Sequence, residues 1–153
     1  MTAFPALIRR LRQDERGAMA IETALVAPVL ILMAVGSFQI SSLVARQTEL
    51  QSAAAEGAAI GLAAPPESQA DLNTVRDIMK ASTGLGNEDV TVSMVYRCGN
   101  ATARVTDPTS CGSGVKVWTY MNIRLQTTYS PIWSKFGIGS DISLDVDRAV
   151  QIS

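Results

Sequence analysis

Between Arg16 and Arg46 the chain carries a single ionisable side chain, Glu22, inside an otherwise apolar run. The run is longer than the ~20 residues a helix needs to cross a bilayer. Holding a carboxylate at the centre of such a span costs about 2.5–3.5 kcal/mol, and less near an end. A chain that keeps one there needs a positive partner in the membrane, and nothing downstream supplies it before Arg46. Cleavage after Gly17 would supply one: the free amine of Ala18, on the same chain or on a neighbouring copy.

Charge gives the run a direction. Residues 1–17 hold Arg9, Arg10, Arg12 and Arg16 against Asp14 and Glu15, whereas everything after Val44 carries nine Lys or Arg against eleven Asp or Glu. The positive-inside rule then leaves the N-terminus in the cytoplasm and the acidic remainder outside. With a net charge of -1, no basic face points to nucleic acid. Cys98 and Cys111 are the two cysteines, both in the outer part. An oxidising compartment would pair them, and chain entropy gives a loop of this size on the order of 3 kcal/mol. A reduced pair in a cytosolic loop is the alternative.

The N-terminal segment reads three ways. A secretory signal peptide would have a shorter apolar region and no Glu22. A plain signal anchor has the right length. A prepilin adds small residues around a Gly-Ala junction and a glutamate at the fifth position after it. The run Asp14-Glu15-Arg16-Gly17-Ala18-Met19-Ala20-Ile21-Glu22-Thr23-Ala24-Leu25-Val26-Ala27-Pro28 resembles the start of a TadE-like pseudopilin, a minor pilin of the tight-adherence (Flp, type IVc) pilus system. The alanine-rich stretch Val44–Ala59 is similar to the helix that follows the span in that family. The resemblance covers about residues 9–62 and is only general beyond them. One departure is Thr23, where family members often carry an aromatic residue; it bears on packing with neighbours more than on processing.

The resemblance implies a division into a prepilin leader (1–17), a transmembrane helix (18–44), an extracytoplasmic continuation of that helix (45–64) and a head (65–153). It implies cleavage between Gly17 and Ala18 by a prepilin peptidase. It also gives Glu22 a role in aligning subunits during assembly with other pilins and pilus assembly proteins. The expected location is the bacterial inner membrane, single-pass, with a periplasmic head that either stays there or enters the pilus used for adhesion. The alternative is an uncleaved single-span envelope protein whose head binds a component of a secretion or pilus machine.

Helix formers run from Ala20 to Ala64 with Pro28 as the one strong breaker, a length of roughly 65–70 Å at 1.5 Å per residue. Pro28 reads as a bend that membrane helices tolerate. Ala53, Ala54, Gly57, Ala58 and Gly61 form a small-residue stripe suited to close packing against a sheet or another helix, by default the chain's own head. Pro65-Pro66 stops the helix. Ser68 and Asp71 open a second helix over about 69–81 as a capping box, and Gly84 closes it.

From Val90 the period becomes two. Val90, Val92, Met94 and Tyr96 share one side; so do Val115, Val117, Thr119, Met121, Ile123 and Leu125, and later Ile142, Leu144, Val146, Val150 and Ile152. Three amphipathic strands form a small antiparallel sheet with one solvated face, its apolar face covered by the two helices. The fold expected is therefore α+β: a long N-terminal transmembrane helix continuing into a small head with a second helix and a three-stranded sheet.

Other constellations are weak. The chain has no histidine, and two cysteines alone do not make a zinc site. Ser113 and Ser140 sit in glycine turns without a nearby base. Asp141, Asp145 and Asp147 read as a solvated strand face rather than a calcium site, and Asn100-Ala101-Thr102 matches a glycosylation pattern that chance often produces. No catalytic residue, metal, cofactor or small-molecule substrate is assigned. Trp118 and Trp133 read by default as core or sheet-edge packing. The connection Tyr129-Ser130-Pro131-Ile132-Trp133 is the best partner surface outside the stem, with Tyr129, Pro131 and Trp133 as its contacts. The whole reads as a structural protein and not an enzyme.

Overall fold

A computed structural model of the chain describes residues 15–137 and 139–153. Arg9, Arg10, Arg12 and Asp14 of the expected leader lie outside them. The element order is α1 (Glu15–Ala63), α2 (Gln69–Thr83), β1 (Val90–Cys98), β2 (Val117–Tyr129) and β3 (Ile142–Gln151), with short 3-10 turns at Pro108–Ser110 and Ile132–Phe136. This is the expected α+β arrangement. Contacts divide the chain into a unit ending at Ser42 and a second unit spanning Leu43–Ser153.

In the first unit α1 is apolar on all sides. Met19, Leu25, Leu30, Leu32, Met33 and Phe38 are exposed. The hydroxyls of Thr23, Ser37 and Ser42 are turned onto their own backbone. Thr23 Oγ1 donates to the Met19 carbonyl at 2.8 Å, and Ser37 Oγ donates to Met33 at 2.8 Å. Such bonds let a polar side chain sit in lipid without an orphan group. Pro28 lies inside the helix, which continues through it.

The second unit has one core. Leu50, Ala53, Ala54 and Ala58 of α1 meet Leu72, Val75 and Met79 of α2 over Val90, Val92, Met121, Ile123, Leu125, Leu144 and Val146 of the sheet. Gly57 permits the close approach: a Cβ there would lie 2.6 Å from Met79 Sδ and 3.0 Å from Ile123 Cδ1. Arg46, within α1, ties it to the C-terminal end of α2, donating from Nη2 to the Thr83 carbonyl at 3.2 Å. That carbonyl lies at the negative end of α2, where a cation is favoured.

Helix α2 follows its sequence signals. Ser68 Oγ accepts from the Asp71 amide, and the Asp71 carboxylate accepts from the Ser68 amide at 2.9 Å, a complete capping box. Gly84 ends the helix in the left-handed region at φ 68°, where a side chain would be strained. The helix runs two residues past the expected end, to Thr83, whose hydroxyl bonds back to the Met79 carbonyl.

The sheet has the order β1-β2-β3, antiparallel throughout. Val90 pairs with Leu125 and Cys98 with Val117; Tyr129 pairs with Ile142 and Tyr120 with Gln151. Strand β2 begins at Val117, later than expected. Val115 lies in a turn closed by its amide on the Gly112 carbonyl, and its side chain is exposed.

Three carboxylates are held in their charged form by hydrogen bonds, each with its pKa below the ordinary value. Ser68 is the main cause for Asp71, Thr109 for Asp107 and Arg124 for Asp145. A lowered folded pKa contributes stability above the unfolded value, about 3.9, and loses it as pH falls through the folded one. The chain has no histidine, the residue type whose ordinary pKa lies between about pH 5 and 8. The thermal midpoint of the head, followed by circular dichroism, is expected to hold over that range and to drop below about pH 4.

Candidate functional site

Gly17 and Ala18 share one turn of a helix, and Glu22 lies in the next. Glu15–Ala63 is helical throughout, so Ala18 and Glu22 stand four residues apart, about 6 Å along the axis. Gly17 is exposed, and a Cβ placed on it would meet nothing within 4 Å. Glu22 is exposed and forms no hydrogen bond or ion pair among the described residues. The uncut chain therefore presents a lone carboxylate one turn from the Gly17–Ala18 junction, on a helix with apolar surroundings. Thr23, bonded to its own backbone, offers neighbours little more than a methyl group.

Residues 17–59 match the family model described as TadE-like protein. The similarity covers 43 of the 153 residues. The match starts at the junction glycine and ends within the part of α1 that packs in the head core. No characterised protein and no solved structure matches the chain significantly. The TadE-like segment supports a pilin-like protein associated with the Tad pilus, and its apolar helix supports anchoring in a membrane.

In the head, Cys98 and Cys111 form a disulfide with Cα atoms 5.3 Å apart. It joins the end of β1 to the residue after the 3-10 turn at Pro108–Ser110. Replacing both cysteines by serine is expected to cost about 2–4 kcal/mol of head stability. The comparison is denaturant unfolding of the oxidised wild type against the double variant in the same detergent.

The expected partner surface at the β2–β3 connection is placed differently. Pro131 is fully buried, Tyr129 packs against the core, and Trp133 is half-buried beside Gly139. Ile132 is the exposed large apolar residue of this turn. Pro131 thus contributes packing and is not available as a contact. Asp145 is taken up by Arg124 at 2.7 Å and Gln126 at 2.9 Å, and Asp147 accepts from Asn122 at 3.2 Å.

Sequence reasoning missed a cluster on the open sheet face, where cations cover Trp118 and Tyr120. The signal was present. Alternation that turns Met121 inward turns Trp118 and Tyr120 outward, beside the outward Arg97.

Proposed function

We propose that the chain is a minor pilin (pseudopilin) of a Tad/Flp type IV pilus, cut by a prepilin peptidase between Gly17 and Ala18. The observation that carries this reading is the coincidence of three features. The TadE-like match opens at Gly17, a membrane-length helix runs through it, and Glu22 is the one ionisable group between Ala18 and Ala45. Hydrolysis would break the Gly17–Ala18 peptide bond, leaving a carboxylate on Gly17 and an ammonium on Ala18, with 136 of the 153 residues retained.

The new terminus changes the electrostatics of the helix. Its first turn gains a positive amine and the positive end of the macrodipole, and Glu22 lies one turn away. The Ala18 amine of the same or a neighbouring copy neutralises the Glu22 carboxylate. That pairing aligns subunits in depth, because both charges sit at one level of the bilayer. The arginines before Gly17 hold the leader in the cytoplasm, so the head stands in the periplasm. The chain acts as a structural subunit that supports pilus assembly and thereby adhesion, and not as an enzyme.

Deleting the coding sequence from its host and counting surface pili tests the role. The expected result is a loss of pili and of surface attachment, both restored by the wild-type chain. Normal piliation in the deletion strain would overturn it.

A further inference from the structure

The open face of the sheet is divided by charge. One end, at the start of β2, gathers Arg97, Arg104 and Lys116 around two rings. Lys116 Nζ lies 3.7 Å from the centroid of Trp118, and Arg104 Cζ lies 5.0 Å from that of Tyr120. Arg97 stands beside both rings, at 5.9 Å from Trp118 and 5.6 Å from Tyr120. None of the three cations forms an ion pair among the described residues. The Nε of Arg97 is buried there without a hydrogen-bond partner. About 13 Å along β2, at Arg124, the same face turns to paired acids, Asp145 and Asp147.

The cationic end is built by the loop 99–116, which is tied down at three points. Gly99 donates to the Lys116 carbonyl at 2.7 Å, and Val105 exchanges both backbone hydrogen bonds with Tyr96 at 2.7 and 2.8 Å. The Cys98–Cys111 disulfide is the third tie. These constraints carry Arg104 across the face onto Tyr120. The Tyr120 hydroxyl is itself held by Gln151 at 3.0 Å. Stacking on rings limits the freedom of the cations before any ligand arrives, so less rotamer entropy is lost when an anion binds.

We infer that this disulfide end of the open sheet face is a docking site for a short acidic segment of a partner protein. Charge complementarity gives the sign. Three cations lacking a carboxylate partner are gathered at one end of the face, whereas the acids of that face, Asp145 and Asp147, lie at the other. The capped rings argue against stacked bases or sugars, because cations already occupy the positions over Trp118 and Tyr120. The acidic far end of the face argues against long polyanions and flat anionic bilayers, which would meet Asp145 and Asp147 as well. A segment of a few Asp or Glu side chains fits the cationic end alone, and guanidinium groups take carboxylates with two parallel hydrogen bonds.

The test uses the full chain in a non-ionic detergent and fluorescein-labelled hexaglutamate, followed by anisotropy. Binding is expected at about 50 mM salt and should weaken as salt rises. Arg104→Glu and Lys116→Glu, both at exposed positions, should each weaken it about tenfold or more. Arg148→Glu, outside the cluster, should leave it within about twofold. The double serine variant at Cys98 and Cys111 should weaken binding while the strand signal in circular dichroism persists, because the loop is released and the sheet remains. Equal binding by wild type and both charge-reversed variants would overturn the proposal. So would tighter binding, through the same residues, of a duplex oligonucleotide or of phosphatidylglycerol vesicles.

Discussion

Glu22→Ala is expected to leave cleavage after Gly17 intact and to reduce assembled pili by about tenfold or more, with membrane insertion unimpaired or improved. The opposite signs follow from one quantity. The carboxylate costs up to about 2.5–3.5 kcal/mol to insert, so removing it eases entry into the bilayer. The same cost, offset by an ammonium at the right depth, makes a paired subunit favourable and a misaligned one unfavourable. The side chain is exposed and free of contacts among the described residues, so alanine there disturbs no packing. Glu22→Gln keeps the shape without the charge and should fail as alanine does. Immunoblots of sheared pili and of membranes separate assembly from processing. Wild-type piliation in the alanine variant would refute the charge-pairing account.

Ile123→Ala has the largest expected effect on the head. Ile123 is fully buried at the centre of the sheet, and its Cδ1 lies where a Cβ on Gly57 would almost touch it. Truncation removes apolar contact and leaves a cavity lined by α1, α2 and two neighbouring strands, at a cost of about 2–5 kcal/mol. Small domains are stable by only about 5–15 kcal/mol, so the loss takes a large share. Ile132→Ala, at an exposed position on the turn before β3, should change stability by no more than about 0.5 kcal/mol. Denaturant midpoints of the two variants in one detergent give the comparison, and equal midpoints would contradict the core assignment.

What the sequence made legible was local and periodic. Ser68, Asp71 and Gly84 carry their capping geometry in residue type and spacing, and the structure places each as expected. Alternation along Val90–Tyr96, Met121–Leu125 and Leu144–Val146 gave the strands and their buried side, because burial on one face imposes a period of two. The loop 99–116 has no period. Where Arg104 ends up depends on the Val105–Tyr96 bridge and on the disulfide, which join residues far apart in sequence. Trp118 misled for a related reason, and Tyr120 was passed over. Large aromatic residues count as apolar in a pattern, yet on the open face their rings serve as floors for cations. Pro131 reads as a loop tip by composition and is buried, since residue type does not tell which side of a turn packs inward. At the start of α1 the reverse holds: Gly17 and Glu22 are singled out by residue type and spacing alone, and the helix adds that Ala18 and Glu22 lie about one turn apart on a continuous axis.

The central claim is processing at the start of the TadE-like segment, and it is tested most directly by the intact mass and N-terminal peptide of the protein from native membranes, with and without the prepilin peptidase. The account predicts a chain that begins at Ala18 when the peptidase is present and retains residues before Gly17 when it is absent. A chain that keeps those residues in both strains would contradict it.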